Sequence, residues 1–293
     1  VTNDTALPVV NAQVVLKRNG TELFRATTDN KGRAELWIGL TQMTTAPDTA
    51  GLSIEIDNGL VTYTGVKLFA DGVNRITASQ KSYLNRAEIA LVIDATGSMG
   101  DEMSYLKTEL INVISRVKSA NPNTAIATSA LFYRDEGDEF LTRNSGFSEN
   151  VNVTMDFISR QGAGGGGDFP EAVHSALDDA MKKLQWTTTS RSRILFLLLD
   201  APPHHEQAVI TSLQSSITAA AAAGIRVIPI TASGIDKETE YLMRSFAITT
   251  GGTYVFITDD SGVGNDHLEA SVGDYQVEKL NDLMVRLINK SLQ

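Results

Sequence analysis

One strand followed by a polar loop constrains this chain more than any other stretch. The apolar run 89–93 stops at Asp94, and Thr96, Ser98 and two glycines follow within six residues. An apolar run without polar alternation is typical of a strand covered on both faces, as in a parallel sheet. Apolar residues at helical spacing come next, at Leu106, Leu110, Val113, Ile114 and Val117. The polar cluster is therefore predicted to lie at the carboxyl end of a central strand, where open α/β sheets bind ligands.

The side chains of this loop are oxygen donors. Asp94, Thr96 and Ser98 occupy alternate positions, so a tight loop can point their oxygens at one centre. Hard cations such as Mg²⁺ and Ca²⁺ prefer these ligands. Gly97 and Gly100 allow the backbone to turn sharply around an ion. The loop therefore predicts a divalent-cation site.

The stretch Asp94-Ala95-Thr96-Gly97-Ser98 resembles the Asp-x-Ser/Thr-x-Ser loop of von Willebrand factor A domains, in which it forms the metal-ion-dependent adhesion site. Two further stretches occur in the family's order and at about its distances. They are 164–171 (Gly-Gly-Gly-Gly-Asp-Phe-Pro-Glu) and 197–203 (Leu-Leu-Leu-Asp-Ala-Pro-Pro). The resemblance covers roughly residues 86–290. It implies that Asp168 lies near a threonine position of integrin-like members, and that Asp200 is the third-loop aspartate.

The resemblance therefore implies a site for Mg²⁺, or for Mn²⁺ or Ca²⁺, that is formed by Asp94, Thr96, Ser98, Asp168 and Asp200. In the family, such a site binds a partner and does not catalyse a reaction. The hydroxyls coordinate the ion, the aspartates act directly or through water, and one position stays open for a carboxylate of a partner protein. The sequence does not identify that partner or the oligomeric state.

Composition limits the classes of partner. The 293 residues are enough for two domains of ordinary size, and the formal charge of −10 argues against nucleic acid or an anionic membrane as the main partner. The absence of cysteine excludes disulfides and thiolate sites. No apolar run approaches the ~18 residues of a membrane helix. The chain starts at Val1 rather than Met, which we interpret as a processed or trimmed form in which an export signal would not be visible.

Residues 1–82 are predicted to form a small antiparallel β-sandwich. Turn signals at Asn19-Gly20 and Asn58-Gly59 predict two hairpins, and alternating apolar residues predict a further strand at 34–38. Residues 8–36 resemble the carboxypeptidase-regulatory-like, transthyretin-like modules of secreted proteins, chiefly through Thr28-Asp29-x-x-Gly32. That resemblance and the lack of cysteine favour an extracellular or bacterial cell-envelope location. We interpret this part as a spacer or docking module, since it has no polar constellation suited to chemistry.

Residues 83–293 are predicted to form an α/β domain with a doubly wound, mostly parallel sheet and one antiparallel edge strand. The polar stretch 78–87 is predicted to be the linker. Its lack of glycine and proline favours domains that pack together. Strands are predicted at 89–94, 125–133, 140–143, 194–199, 226–231 and 253–257, and helices at 100–118, 155–159, 170–183, 207–223, 237–247 and 275–292. Pro170 is predicted to open the third helix.

The sequence departs from the motifs of two enzyme classes, the dinucleotide-binding enzymes and the aspartyl phosphatases. The glycine run 162–167 formally satisfies a dinucleotide-binding pattern, but a poor strand precedes it and no Lys-Ser/Thr follows. An aspartyl phosphatase would need Asp-x-Asp, whereas position 96 is threonine. His204 and His205 follow Asp200 and are open to three interpretations: zinc ligands, a base, or polar loop groups. We therefore expect a protein that is not an enzyme, with a metal-dependent hydrolase as an alternative.

The predicted site is unusually acidic. Asp168 adds a carboxylate where integrin-like members have threonine, and Asp135, Glu136, Asp138 and Glu139 follow the second strand at the same edge. Extra negative charge is expected to hold the cation more tightly and to neutralise its attraction for an acidic group. The ion is therefore expected to be partly structural, with a basic or neutral partner surface. A second alternative is a wholly structural ion, with binding performed by the N-terminal sandwich.

Overall fold

The computed structural model describes residues 1–40, 48–167, 169–232, 235–257 and 278–293. Within these residues, four strands form an N-terminal sheet: β1 (Gln13–Arg18), β2 (Thr21–Thr27), β3 (Leu52–Ile56) and β4 (Val61–Tyr63). The rest alternates strands and helices: β5 (Leu84–Asp94), α1 (Gly100–Ala120), β6 (Ala125–Tyr133), β7 (Thr142–Asn144), α2 (Val151–Ser159), α3 (Val173–Lys182), β8 (Ser190–Leu199), α4 (Gln207–Ala223), β9 (Ile225–Thr231), α5 (Lys237–Thr249), β10 (Val255–Phe256) and α6 (Leu280–Leu292).

The second sheet has the strand order β10-β9-β8-β5-β6-β7. Its neighbouring strands are parallel except β7, which pairs antiparallel with β6. Side chains of β5 alternate between two cores because successive residues of a strand point to opposite faces. Ile89, Leu91 and Ile93 pack with α1, α2 and α6, whereas Ala90 and Val92 pack with α3, α4 and α5. The predicted α/β class and the doubly covered central strand are confirmed.

The N-terminal sheet is antiparallel, with the strand order β2-β1-β3-β4. Asn19 and Gly20 turn the first hairpin with φ angles of 51° and 83°, in the left-handed region that Asn-Gly favours. An antiparallel sheet is thus present in the N-terminal part, together with a 3₁₀ turn at Phe69–Asp71. Its described residues form one sheet, so the second layer of a sandwich stays a prediction.

The strand predicted at 34–38 is wrong. Ala34, Leu36 and Ile38 pack against the N-terminal core, but their backbone forms no ladder in the described part of the chain. The preceding turn closes on itself, because Asp29 Oδ1 accepts from the backbone N–H groups of Lys31 (2.7 Å) and Arg33 (2.9 Å). The alternating apolar side chains therefore reflect packing against the core, and not hydrogen bonding to a neighbouring strand.

The two parts of the chain pack directly on each other. Arg193 Nη2 donates to Asn11 Oδ1 over 2.7 Å, and Thr27 Oγ1 donates to the Ala222 carbonyl oxygen over 2.7 Å. The last four residues of the predicted linker 78–87 belong to β5, which begins at Leu84. The boundary between 82 and 83 stays a prediction.

The start of α3 differs from its prediction. Pro170 does not open the helix, which begins at Val173. The Glu171 backbone N–H instead donates to the Pro202 carbonyl oxygen over 2.8 Å, which ties this segment to the loop after β8. The correction matters because it brings Glu171 to the carboxyl edge of the sheet. Of the helices described, none has both the length and the apolar character needed to cross a membrane.

Candidate metal centre

The predicted ligands gather at the carboxyl ends of parallel strands. β5 lies between β6 and β8, so the loops that follow these three strands emerge at one edge of the sheet. Asp94 ends β5, a 3₁₀ turn at Gly97–Met99 leads into α1, and Asp200 directly follows β8. This edge is where open α/β sheets bind ligands.

The Asp94 carboxyl group is fully buried and shapes its own loop. Its Oδ1 accepts from the backbone N–H of Thr96 (2.9 Å) and from the Thr96 hydroxyl (2.7 Å). The other oxygen, Oδ2, is buried and finds no hydrogen-bond partner in the described part of the chain. One oxygen therefore fixes the loop, and the buried Tyr133 hydroxyl lies close enough to the carboxyl group to lower the pKa of Asp94.

Asp200 faces the same loop from β8. It is 7% exposed, and its Oδ1 is buried with no hydrogen-bond partner among the described residues. Burial raises the pKa of Asp200, and the nearby Ser98 hydroxyl opposes that rise. Ser98 itself is exposed. The structure thus brings Asp94, Thr96, Ser98 and Asp200 together, as the sequence predicted, while their role as ligands stays a prediction.

A third buried carboxyl group was missed by the sequence reasoning. Glu171 is 3% exposed, and its Oε2 has no hydrogen-bond partner within the residues that the structure describes. It lies near Asp94, Asp135, Asp138 and Asp200, which all act on its pKa. The available signal was an acidic residue three positions after Asp168, but its burial depends on the contact of its backbone with Pro202.

The glycine run links the loops of the site. The Gly97 backbone N–H donates to the Gly165 carbonyl oxygen (3.2 Å), and the Gly166 N–H donates to Asp138 Oδ2 (3.0 Å). Gly166 has a φ of +65°, and a Cβ there would lie 3.0 Å from Glu171 Oε1 and 3.1 Å from Thr96 Cβ. The glycines therefore allow a backbone approach that a side chain would obstruct.

Burial and mutual repulsion disfavour ionised carboxyl groups at this edge. Burial is the main cause that raises the pKa of Asp94 to about 7, with a smaller contribution from Asp200 and opposition from Thr96. Burial also raises the pKa of Glu171 to about 8, and neighbouring carboxylates add to the rise. Such shifts indicate negative charge that lacks a compensating partner.

A histidine pair borders the carboxylates. His204 Nε2 and Asp135 Oδ1 are 2.7 Å apart, and the rings of His174 and His204 meet edge to face with centroids separated by 6.3 Å. Burial and the neighbouring His204 lower the pKa of His174. Asp135 thus holds His204 beside the site, whereas His205 is exposed. His174 was not anticipated from the sequence.

The donor set suits a hard divalent cation. Three carboxyl groups, of Asp94, Glu171 and Asp200, each present a buried oxygen that lacks a partner in the described structure, and two hydroxyls lie beside them. No three His, Asp or Glu side chains of the described residues lie close enough to hold an ion alone. Coordination would therefore need the hydroxyls of Thr96 and Ser98, water, or Asp168, which lies outside the described residues.

Two known proteins are similar to parts of this chain. A mimivirus protein (Acanthamoeba polyphaga mimivirus), the putative ariadne-like RING finger protein R811, is 34% identical over 94 residues, 32% of this chain and 9% of that protein. The chain therefore spans under a tenth of this relative. The conserved hypothetical protein BatB from Bacteroides thetaiotaomicron is 13% identical with a TM-score of 0.46, covering 70% of this chain and 98% of BatB, and that score adds nothing to the assignment.

A family model decides the assignment. The von Willebrand factor A domain model matches residues 88–259, more than half of the chain. The match begins within β5 and includes every predicted ligand. The chain belongs to the von Willebrand factor A domain family.

Proposed function

We propose that this protein is a divalent-cation-dependent protein-binding module with a site of the metal-ion-dependent adhesion type. One observation carries the proposal. Asp94, Glu171 and Asp200 each bury a carboxylate oxygen that has no partner among the described residues, and all three lie at the carboxyl edge of the sheet. Unpaired buried charge destabilises a fold unless a ligand or a proton compensates it.

A divalent ion would remove this penalty. Mg²⁺, Mn²⁺ or Ca²⁺ would be held by Asp94, Thr96, Ser98 and Asp200, with Glu171 as a further carboxylate acting directly or through water. When bound, the ion supplies a Lewis-acidic position for an oxygen atom of a partner protein. The chain's own residues orient the loop through the Thr96–Asp94 hydrogen bonds and through the Gly97 N–H, which donates to the Gly165 carbonyl oxygen.

Binding rather than catalysis is supported by the chemistry of position 96. An aspartyl phosphatase needs a second carboxyl group there as acid/base, whereas Thr96 donates its hydroxyl to Asp94. The one observation that favours a hydrolase is His204, which Asp135 orients beside the site. Turnover of p-nitrophenyl phosphate that is abolished by EDTA and by His204→Gln would establish the hydrolase and overturn the binding assignment.

The experiment that tests the metal site is a set of thermal melts on stripped protein in Mg²⁺, Mn²⁺, Ca²⁺ or EDTA. An ion at about 100 times its dissociation constant stabilises the folded state by roughly 2.7 kcal/mol. Asp94→Ala and Asp200→Ala are expected to abolish the shift, whereas the exposed Asp156→Ala keeps it. Superimposable melts of wild-type protein with metal and EDTA would rule out the site.

Partner binding needs a separate experiment. Wild-type protein, Asp94→Ala and Asp156→Ala serve as baits in native extract with Mg²⁺ or EDTA, and captured proteins are identified by mass spectrometry. We expect a partner that is captured by wild-type protein and Asp156→Ala in Mg²⁺ alone. Metal-dependent stabilisation without such a partner would instead favour the structural ion, with binding by the N-terminal sheet.

The location is proposed to be extracellular or in a bacterial cell envelope. This proposal rests on the likeness of residues 8–36 to modules of secreted proteins and on the absence of cysteine. Cell fractionation with an antibody against the protein tests it. Recovery of the protein solely in the cytosolic fraction would contradict it.

A further inference from the structure

A second concave region lies at the opposite edge of the six-stranded sheet. It is a cleft of about 640 Å³ between the N-terminal sheet and the α/β domain, within the range of roughly 300–1,000 Å³ typical of ligand sites. The beginnings of β8 and β9 line it together with the ends of α4 and α5. It therefore opens at the amino ends of the strands, away from Asp94 and Asp200.

The cleft is basic although the chain is acidic. Five cationic side chains line it, against the two acidic side chains of Asp29 and Glu35. The cations are Arg33, Arg191, Arg193, Arg226 and Lys290. The local excess of three positive charges contrasts with the formal net charge of −10 for the whole chain. A concave surface of one sign attracts ligands of the opposite sign.

Two of these cations are committed to the interface between the domains. Arg193 donates to the carbonyl oxygens of Ala223 (2.9 Å) and Ser190 (2.9 Å) and to Asn11 Oδ1. Arg226 Nη2 lies 2.6 Å from Asp29 Oδ2. These side chains hold the walls of the cleft in place and are not free for a ligand.

The other three retain binding capacity. Arg33 reaches the same Asp29 oxygen at 3.3 Å, so one carboxylate serves two guanidinium groups. Arg191 Nη1 donates to Asn85 Oδ1 over 3.4 Å and its guanidinium lies 5.9 Å from the centroid of the Tyr83 ring, but its buried Nε has no acceptor among the described residues. The exposed Lys290 ammonium has no acceptor in that part of the chain either. The cleft therefore offers positive charge and N–H donors without matching acceptors.

An aromatic donor and apolar surface complete the lining. The indole Nε1 of Trp37 is buried with no acceptor in the described part of the chain. Phe69 is 95% exposed and Ile248 is 56% exposed at the cleft. A ligand that matches these groups carries carboxylates, a carbonyl oxygen for the indole N–H, and an apolar side chain.

We propose that this cleft binds an acidic peptide segment of a partner protein, with carboxylates against Arg33, Arg191 and Lys290 and an apolar side chain against Phe69 and Ile248. A peptide is favoured over a small acid because the exposed side chains of Phe69 and Ile248 add an apolar surface to the charged part of the cleft. A peptide can contact both surfaces at once. The site is independent of the cation centre, since the two occupy opposite edges of the sheet.

The test begins with an unbiased selection. A phage-displayed library of random nonapeptides is panned against the full chain in EDTA, with counter-selection on the double variant Arg33→Gln/Lys290→Gln. Both substituted side chains are exposed, so the fold is expected to persist. Enriched peptides are expected to contain at least two acidic residues and an aliphatic or aromatic one. Failure to enrich peptides, or enrichment of peptides without acidic residues, would overturn the proposal.

Site occupancy is then measured directly. The chain has two tryptophans, so Trp186→Phe leaves Trp37 as the sole indole reporter. An enriched peptide is expected to change Trp37 fluorescence saturably, and the Arg33→Gln/Lys290→Gln pair is expected to weaken binding about tenfold. Free glutamate serves as the small-acid probe, and equal saturation by it would contradict a peptide ligand.

A matched charge control separates the cleft from the general surface. Lys182→Gln removes one exposed charge outside the cleft and is expected to leave affinity unchanged. Trp37→Phe keeps an aromatic ring but removes the N–H donor together with the reporter, so its affinity is measured by calorimetry, and it is expected to weaken binding severalfold. If Lys182→Gln weakens binding as much as the cleft variant, the attraction is non-specific and the proposal fails.

Discussion

The two edges of the six-stranded sheet bury opposite charges and treat them differently. At the carboxyl edge, Asp94 and Glu171 each keep an oxygen without a partner among the described residues, and burial raises the pKa of both. At the amino edge, burial lowers the pKa of Arg193 to about 10, but carbonyl oxygens and Asn11 accept from its guanidinium. Both edges desolvate charge, but the Arg193 guanidinium is paired, whereas Asp94 and Glu171 each keep an oxygen without a partner among the described residues.

The comparison separates two uses of buried charge. A charge whose hydrogen bonds are satisfied within the chain stabilises an interface, here between the N-terminal sheet and the α/β domain. A charge left unpaired destabilises the free protein and favours whatever compensates it. We therefore expect loss of Arg193 at the amino edge to lower stability, and neutralisation of Glu171 at the carboxyl edge to raise the stability of the metal-free protein.

The largest effect expected of a single substitution tests the paired edge. Arg193→Ala leaves several buried carbonyl oxygens and Asn11 without their donor, so we expect it to lower the free energy of unfolding by about 3 kcal/mol. Urea denaturation followed by circular dichroism measures this change. The exposed Arg160→Ala is the control and is expected to cost within about 0.5 kcal/mol. Equal losses in the two variants would show that Arg193 does not stabilise the interface.

The next prediction concerns how the stability of the metal-free protein depends on pH through the carboxyl groups of the unpaired edge. The folded-state pKa values of Asp94 (about 7) and Glu171 (about 8) lie above unfolded values near 4, so the folded metal-free protein binds these protons more tightly. Their stabilising contribution is complete below about pH 4 and is lost as pH rises through the folded values, by about 1.4 kcal/mol per pH unit for each retained proton.

A bound cation is expected to remove that decline, because it favours the ionised carboxylates. The difference in melting temperature between Mg²⁺ and EDTA should therefore widen from pH 5 to pH 8. Thermal melts at four pH values measure it. A difference that stays constant over this range would mean that these carboxyl groups do not exchange protons for metal.

Much of the fold could be predicted because its signals are local. The helix predicted at 207–223 matches α4 at both ends, since Gly224 adopts the left-handed conformation (φ 66°) that ends a helix. The apolar run before Asp94 identified the central strand because burial on both faces removes polar alternation. Placement of Thr96, Ser98 and Asp200 beside Asp94 follows from the parallel strand order.

The remaining features depend on contacts between distant parts of the chain. Glu171 enters the site because its backbone pairs with Pro202, 31 residues later in the sequence. The packing of Asn11 against Arg193 joins residues 182 positions apart. No local pattern encodes either contact, and the apolar alternation at 34–38 misled the strand prediction because packing without pairing leaves the same pattern.

Removing the charge of Glu171 alone tests whether crowded carboxylates destabilise the carboxyl edge. Glu171→Gln keeps the side-chain volume and removes one of three crowded carboxylates, so at pH 9 we expect the metal-free variant to be more stable than wild type by about 1–2 kcal/mol. At pH 6 the gain is expected to shrink, because wild-type Glu171 is then protonated. The exposed Glu136→Gln makes the same chemical change at the rim and is expected to have little effect. A destabilised Glu171→Gln at pH 9 would show that Glu171 is paired after all.

The smallest expected effect tests how closely the glycine run approaches the carboxylates. Gly166→Ala places a Cβ 3.0 Å from Glu171 Oε1 and 3.1 Å from Thr96 Cβ at a φ of +65°, so we expect a cost of about 1 kcal/mol and weaker Mg²⁺ binding. Gly167→Ala is the matched control, because a Cβ there meets no described atom within 4 Å and its φ is not positive. Mg²⁺ titrations followed by the melting temperature compare the two variants. If both bind Mg²⁺ as wild type does, the glycine run does not shape the cation site, and the contrast between the two edges rests on the carboxylates alone.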